Sequence, residues 1–129
     1  MSEHRNSAAV DVLVESCARC GIRRLVVVGA SPASRRELRD RVRRRLSIRF
    51  VDGLGRVTRL DASSLLKWAD LVVVCTASQL KHKVSRHFTR DGSKHGRVIF
   101  VERRGVAAIA TTVRDHLLRQ QWATAPSRR

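Results

Sequence analysis

Leu25-Val26-Val27-Val28-Gly29-Ala30-Ser31-Pro32-Ala33-Ser34 decides the fold. Its four leading residues form a continuous apolar run, rich in β-branching, of the kind found in strands buried on both faces. Such a strand needs helices above and below it. The run stops at Gly29, Pro32 suits a first helical turn, Ser31 or Ser34 can cap that turn, and Glu37 stands three residues after Ser34. Leu38, Val42 and Leu46 then recur at helical spacing, so one helix is expected to carry all three. Strand, turn and helix in that order make the first half of a parallel crossover unit.

The same grammar repeats along the chain. Ser47 to Val51 reads as a second, less apolar strand suited to an edge, followed by the turn-rich Asp52-Gly53-Leu54-Gly55. Asp61 is expected to cap a short helix through Leu65, Leu66 and Trp68, and Leu71-Val72-Val73-Val74-Cys75 is a second fully buried strand. Leu80, Val84 and Phe88 recur every fourth residue, Asp91-Gly92 and Gly96 break that helix, and Val98-Ile99-Phe100-Val101 supplies a fourth strand. A last helix after Gly105 turns Val106, Ile109, Ala110, Val113 and Leu117 inward. Upstream, Ser7 to Cys20 reads as a helix on the spacing of Val10, Leu13, Val14 and Cys17, with Gly21 to end it.

Right-handed crossovers between such strands give a three-layer α/β sandwich, with a four-stranded parallel sheet in order 2-1-3-4 and an extra N-terminal helix. Residues 1–22 are expected to form that helix, free to serve oligomerisation; residues 23–121 form the α/β domain; residues 122–129 form a small, polar, basic tail expected to be disordered.

Charge is the main functional signal. The 129 residues carry 27 Lys and Arg against 11 Asp and Glu, a formal net charge of +16, and 23 of the 27 cations are Arg. Self-repulsion on that scale does nothing for the fold, so the positive field points to a polyanionic partner. Arginine's planar fork suits phosphate. The apolar runs fall far short of the roughly 20 residues needed to cross a bilayer, and Met1 to Asn6 lack the basic start and apolar stretch of a secretory signal. Three cysteines do not make a disulfide framework, so a cytoplasmic protein with reduced thiols is expected. Cys17 and Cys20 form a Cys-x-x-Cys pair, but no second Cys or His pair stands at finger-like spacing. They read as helix-packing residues, with no metal, and Cys75 as a small buried hydrophobe.

Seven arginines fall within eleven residues: Arg35, Arg36, Arg39, Arg41, Arg43, Arg44 and Arg45. On a helix, Arg36, Arg39 and Arg43 make one solvent stripe, with Arg41, Arg44 and Arg45 flanking it. Lys81, His82, Lys83, Arg86, His87 and Arg90 form a second basic helix face, and Arg103 and Arg104 open at the carboxyl end of the fourth strand. One continuous basic rim is the expected arrangement. Nucleic-acid contacts are therefore assigned to Arg35, Arg36, Arg39, Arg43, Arg44, Lys81, Lys83, Arg86, Arg90, Arg103 and Arg104. Most aromatic residues fall at apolar positions, with Trp122 the one candidate for exposure, so phosphate contacts should dominate, with steep salt dependence and little sequence preference.

In doubly wound sheets ligands lie beyond the carboxyl ends of the strands, here between the first and third. Gly29-Ala30-Ser31-Pro32-Ala33-Ser34 is neither G-x-G-x-x-G nor a P-loop, so no standard nucleotide cofactor is expected. The alternative reading is a sensor or adaptor holding a nucleotide-like anion there through Ser31, Ser34, Thr76, Ser78 and His82. Ser78 and His82 stand four apart, but no nearby acid orients the imidazole, and Asp52, Asp61, Asp70 and Glu102 sit at turns, caps and strand ends. No catalysis is expected.

From Arg24 to about Leu118 the chain resembles a bacterial family of small Rossmann-like domains of unknown function, family 2325. The residues that carry this are Leu25-Val26-Val27-Val28-Gly29, Asp52-Gly53, Ala69-Asp70-Leu71-Val72-Val73-Val74-Cys75-Thr76 and Val98-Ile99-Phe100-Val101-Glu102-Arg103-Arg104-Gly105. Family members place a polar residue and a His after the Thr, at the start of a basic helix; Leu80-Lys81-His82 stands there, with His82 slightly displaced. The resemblance implies the fold and carries no settled activity.

Three functional readings follow. The first is a non-enzymatic nucleic-acid-binding protein, for DNA with RNA as the second choice, acting as a homodimer or larger assembly without a membrane or cofactor. The second is the anion sensor, and the third a module for an acidic protein or the ribosome.

Overall fold

Period-two alternation along the two most apolar strands sorts their side chains into two separate cores. Leu25, Val27, Leu71, Val73 and Cys75 face one way, and Val26, Val28, Val72 and Val74 the other, all of them buried. The computed structural model describes residues 2–77, 80–92 and 97–124. Its strands are β1 (Arg24–Val28), β2 (Ser47–Val51), β3 (Leu71–Cys75) and β4 (Val98–Val101), all parallel, in the order β2-β1-β3-β4. The fold class and strand order are those expected from the sequence.

Five helices close the two faces: α1 (Ser2–Arg19), α2 (Pro32–Val42), α3 (Arg59–Trp68), α4 (His82–Gly92) and α5 (Val106–Thr124). The first core takes Val10, Leu13 and Cys17 from α1, Leu38 and Val42 from α2, and Val106, Ile109, Ala110, Val113 and Leu117 from α5. The second takes Ala62 from α3 and Val84 and Phe88 from α4. No polar or charged side chain is buried among the described residues, so every described charge is at least partly displayed. No described helix is long and apolar enough to cross a membrane.

Several local expectations are corrected. The N-terminal helix begins at Ser2 rather than Ser7 and is not spare: it packs chiefly on α5, and Val10, Leu13 and Cys17 are fully buried within the chain's own core. That apolar stripe is therefore not left for another subunit. The second helix stops at Val42, four residues before Leu46, and Arg43 closes it with φ 52° and its N–H donating to the Arg39 carbonyl at 3.1 Å. Leu46 reaches the core from the turn that leads to β2, which is why its spacing imitated another helical turn. Thr58, not Asp61, caps α3; Asp61 is the third residue of that helix and completes a capping box with the Thr58 N–H. The last helix continues to Thr124, three residues into the segment read as tail.

Backbone contacts fix both ends of the sheet. At the amino end the N–H groups of Arg23 and Arg24 donate to one Asp70 carboxylate oxygen at 2.8 and 3.0 Å. At the carboxyl end Gly29 N–H donates to Val51 O at 3.0 Å, Thr76 N–H to Val101 O at 3.0 Å, and Lys81 N–H to Gly53 O at 2.8 Å. Those three bonds draw the loops after β1, β2, β3 and β4 together.

Candidate functional site

The arginine run of 35–45 divides among three surroundings. Arg41 pairs with Glu37 at 3.2 Å and Arg45 with Asp11 of α1 at 2.7 Å, so the fold itself occupies two of the seven. Arg35, at the start of α2, lines a cavity beyond the carboxyl end of β1. Arg39, Arg43 and Arg44 open on the other side, onto a shallow groove beside β2. Arg36 is exposed on α2 and continues the stripe of Arg39 by one turn.

The groove is where the positive charge concentrates. Its walls are Arg24, Arg39, Arg43, Arg44 and Arg49 with Leu46, Ser47, Ile48 and Trp68, and no carboxylate lines it. β2 is the edge strand, and Ser47, Arg49 and Val51 share its face toward the second core, where Val51 is buried at the carboxyl end while Ser47 and Arg49 remain exposed. Arg49 lies over the Trp68 ring at 4.1 Å from its centroid, with Arg24 at 5.9 Å, and Arg39 lies 5.2 Å from the Phe50 ring. These aromatic faces steady guanidinium groups that are otherwise solvated. Arg24, Arg49 and Trp68 were missed in the sequence because they lie outside the charge run. The available signal was an Arg within a strand expected at the sheet edge.

The second basic helix stands apart. α2 contributes to the first core and α4 to the second, so Lys81, Lys83 and Arg86, all exposed, lie on the opposite face of the sheet from Arg39 and Arg43. The single continuous rim is replaced by two basic faces whose helices both begin at the carboxyl edge. Arg103 is exposed at that edge. The side chain of Arg90 and all of Ser78 lie outside the described residues.

The cavity above β1 measures about 440 Å³ and is lined by Gly29, Ala30, Ser31, Pro32, Arg35, Asp52, Gly53, Leu54, Arg104 and Gly105. This is the switch-point neighbourhood expected for a doubly wound sheet, but its chemistry differs from the hydroxyl set anticipated. The Ser31 hydroxyl accepts from Ser34 N–H at 3.2 Å and donates to the Ser34 hydroxyl at 3.0 Å, and the Thr76 hydroxyl donates to Val101 O at 3.2 Å. Ser31 thus spends its hydroxyl proton in capping α2 and Thr76 spends its own on the end of β4, and His82 is an exposed first residue of α4. The charged side chains on the cavity wall are instead Arg35, Arg104 and Asp52. Arg104 is held by a 3.0 Å bond from its Nε to Ala77 O, and Arg35 Nε is shut off from solvent with no acceptor. Gly29, at φ +83°, is tied to this place: an added Cβ would stand 3.2 Å from Cys75 O and 3.1 Å from Leu80 Cδ1.

The thiols are core groups. Burial pushes Cys17 up to about 12, with the neighbouring Cys20 adding to the shift, and burial pushes Cys75 up to about 11. A thiol held so high is a poor nucleophile and a poor metal ligand. Among the described residues no three His, Cys, Asp or Glu side chains converge. No protein-family model, curated protein or solved structure matches this chain.

Proposed function

We propose that the protein binds nucleic acid without catalysis, gripping the phosphate backbone of duplex DNA along the groove beside β2. One observation carries this: five arginines from three separated segments line one open surface from which carboxylates are absent. The Arg36 and Arg39 stripe extends that surface along α2, in line with a duplex backbone. The one aromatic ring on the groove is already covered by Arg49, which favours phosphate contact over base stacking. Lys81, Lys83 and Arg86 offer a second, separate basic face, which suits bridging or layering along DNA. Arg35 and Arg104 belong to the cavity and are taken out of the DNA contact set. Membership of the small Rossmann-like family is proposed on the four quoted segments.

The test is fluorescence anisotropy with unrelated duplexes across a salt series. Replacing Arg43, Arg44 and Arg49 together by Ala should flatten the slope of log affinity against log salt by about 2.7, at about 0.9 for each lost phosphate contact, and equally for every sequence. The Lys81, Lys83 and Arg86 triple replacement should leave most of the slope in place. Salt-insensitive binding, or equal loss in both triples, refutes the groove as the main contact; tighter binding to single-stranded RNA than to duplex overturns the choice of DNA.

A further inference from the structure

The cavity above β1 holds opposite charges that the fold leaves unpaired. Arg35, Arg104 and Asp52 share its wall, yet none of the four ion pairs among the described residues joins them. Asp52 uses one carboxylate oxygen to accept from Leu54 N–H at 3.0 Å, and the other has no partner among the described residues. Arg35 Nε is buried without an acceptor. A ligand that satisfies this wall carries an anionic end and, apart from it, a pair of hydroxyl donors.

The positions of these groups say which end goes where. Asp52 directly follows β2 (Ser47–Val51), the place in a doubly wound sheet from which a carboxylate reaches ribose hydroxyls of a nucleotide lying over the first strand. The usual phosphate cradle is reduced at α2: Pro32 has no N–H and the Ser34 N–H is taken by the Ser31 hydroxyl. Two guanidinium groups line the same cavity, and their fork suits phosphate oxygens. The exposed Leu54 side chain gives apolar surface beside the diol position, and about 440 Å³ is within the range of small-molecule sites.

From this geometry we infer that the cavity is a ribonucleoside phosphate site, with Asp52 accepting from the ribose hydroxyls and Arg35 and Arg104 holding the phosphates. It is separate from the β2 groove and does not depend on the DNA reading. The protein would then respond to a free nucleotide at its crest as well as hold a polyanion at its edge.

Calorimetric titration with ADP, GDP, 2′-deoxy-ADP, adenosine and inorganic phosphate tests it, in about 0.2 M salt so that exposed arginines are screened. ADP or GDP should bind saturably with one site per chain, and 2′-deoxy-ADP about tenfold more weakly than ADP, the scale of one lost hydrogen bond to a charged group. Adenosine and phosphate alone should each bind far more weakly than the diphosphate. Arg104→Ala, at an exposed position, should cost about 10- to 100-fold, and Asp52→Asn should abolish the preference for ribose over deoxyribose. The groove triple replacement should keep nucleotide binding, and Arg104→Ala should keep the DNA salt slope. Melting curves confirm that each variant is folded. The inference is overturned if neither diphosphate saturates, if Arg104→Ala and Asp52→Asn leave binding unchanged, or if nucleotide binding disappears with the groove arginines.

Discussion

Arg43 performs two tasks that a pair of substitutions can pull apart. It lines the β2 groove, and it also ends α2 in a backbone conformation, φ 52° and ψ −120°, that favours glycine. Holding a side chain in a sparsely populated region costs about 1–3 kcal/mol. Glycine relieves that strain but carries about 0.5–1 kcal/mol more conformational entropy in the unfolded chain. The balance is a gain of about 1 kcal/mol for Arg43→Gly, or about 3–6 °C in melting temperature for a domain of this size. Arg43→Ala keeps the Cβ and the strain. Both replacements lose the 3.1 Å bond from the Arg43 side chain to Asp40 O, so the comparison between them isolates the backbone. On DNA the two should behave alike, each lowering the salt slope by about 0.9. Thermal melting and salt-series anisotropy on both proteins provide the check. If Arg43→Gly melts no higher than Arg43→Ala, the strained helix end is wrong; if the two differ in salt slope, the groove contact is not simply one cation.

Two more outcomes follow from the packing. Gly29→Ala should destabilise by about 1–3 kcal/mol in urea unfolding, since φ is positive and the added Cβ meets the Cys75 carbonyl, which cannot swing aside; a neutral result refutes the close approach of β1 and β3 at the crest. The thiols predict the alkaline limb of stability. Cys17 and Cys75 remain protonated in the fold up to about 12 and 11, whereas the unfolded chain ionises them near 9.0. Their contribution is complete below pH 9.0 and is lost as pH climbs through the folded values, so Cys17→Val should show a shallower decline from pH 9 to 11 than the parent. An identical decline in both removes Cys17 as a contributor. His116 acts at the other end: burial and then Arg119 lower its pKa from 6.5, so its contribution is present above that value and lost as pH falls.

The strands were legible because burial on both faces leaves an unmistakable run. Leu25–Val28 and Leu71–Cys75 needed no partner to be read, and their order followed from right-handed crossovers. The end of α2 was not legible. Val42 and Leu46 stand four apart in sequence whether the chain continues as a helix or turns sharply and drops Leu46 into the same core. Spacing is identical in both cases, and only the backbone at Arg43 tells them apart. The groove was hidden for another reason. Arg24 and Arg49 become diagonal neighbours on one face of adjacent strands only through the register Arg24↔Ser47 and Val26↔Arg49, and Trp68 arrives from the end of α3. Register is a property of the sheet, not of any local window.

Rotation along α2, together with the turn that follows it at Arg43, explains why a single charge run has three fates. Successive residues turn by about 100°, so neighbours in sequence look toward different parts of the molecule. The side toward α1 and the first core meets Asp11 and Glu37, and Arg45 and Arg41 are neutralised there. The side toward the edge strand meets Ser47, Ile48, Arg49 and Phe50 and no carboxylate, so the charges of Arg39, Arg43 and Arg44 stay uncompensated there. The first turn reaches the crest, where Arg35 lines the cavity together with Asp52 and Arg104. Counting cations along the chain overstated the uncompensated positive surface on α2 and understated the edge strand. The arginines that matter for a polyanion are those whose neighbours offer no carboxylate, and that criterion selects Arg24 and Arg49 while it removes Arg41 and Arg45.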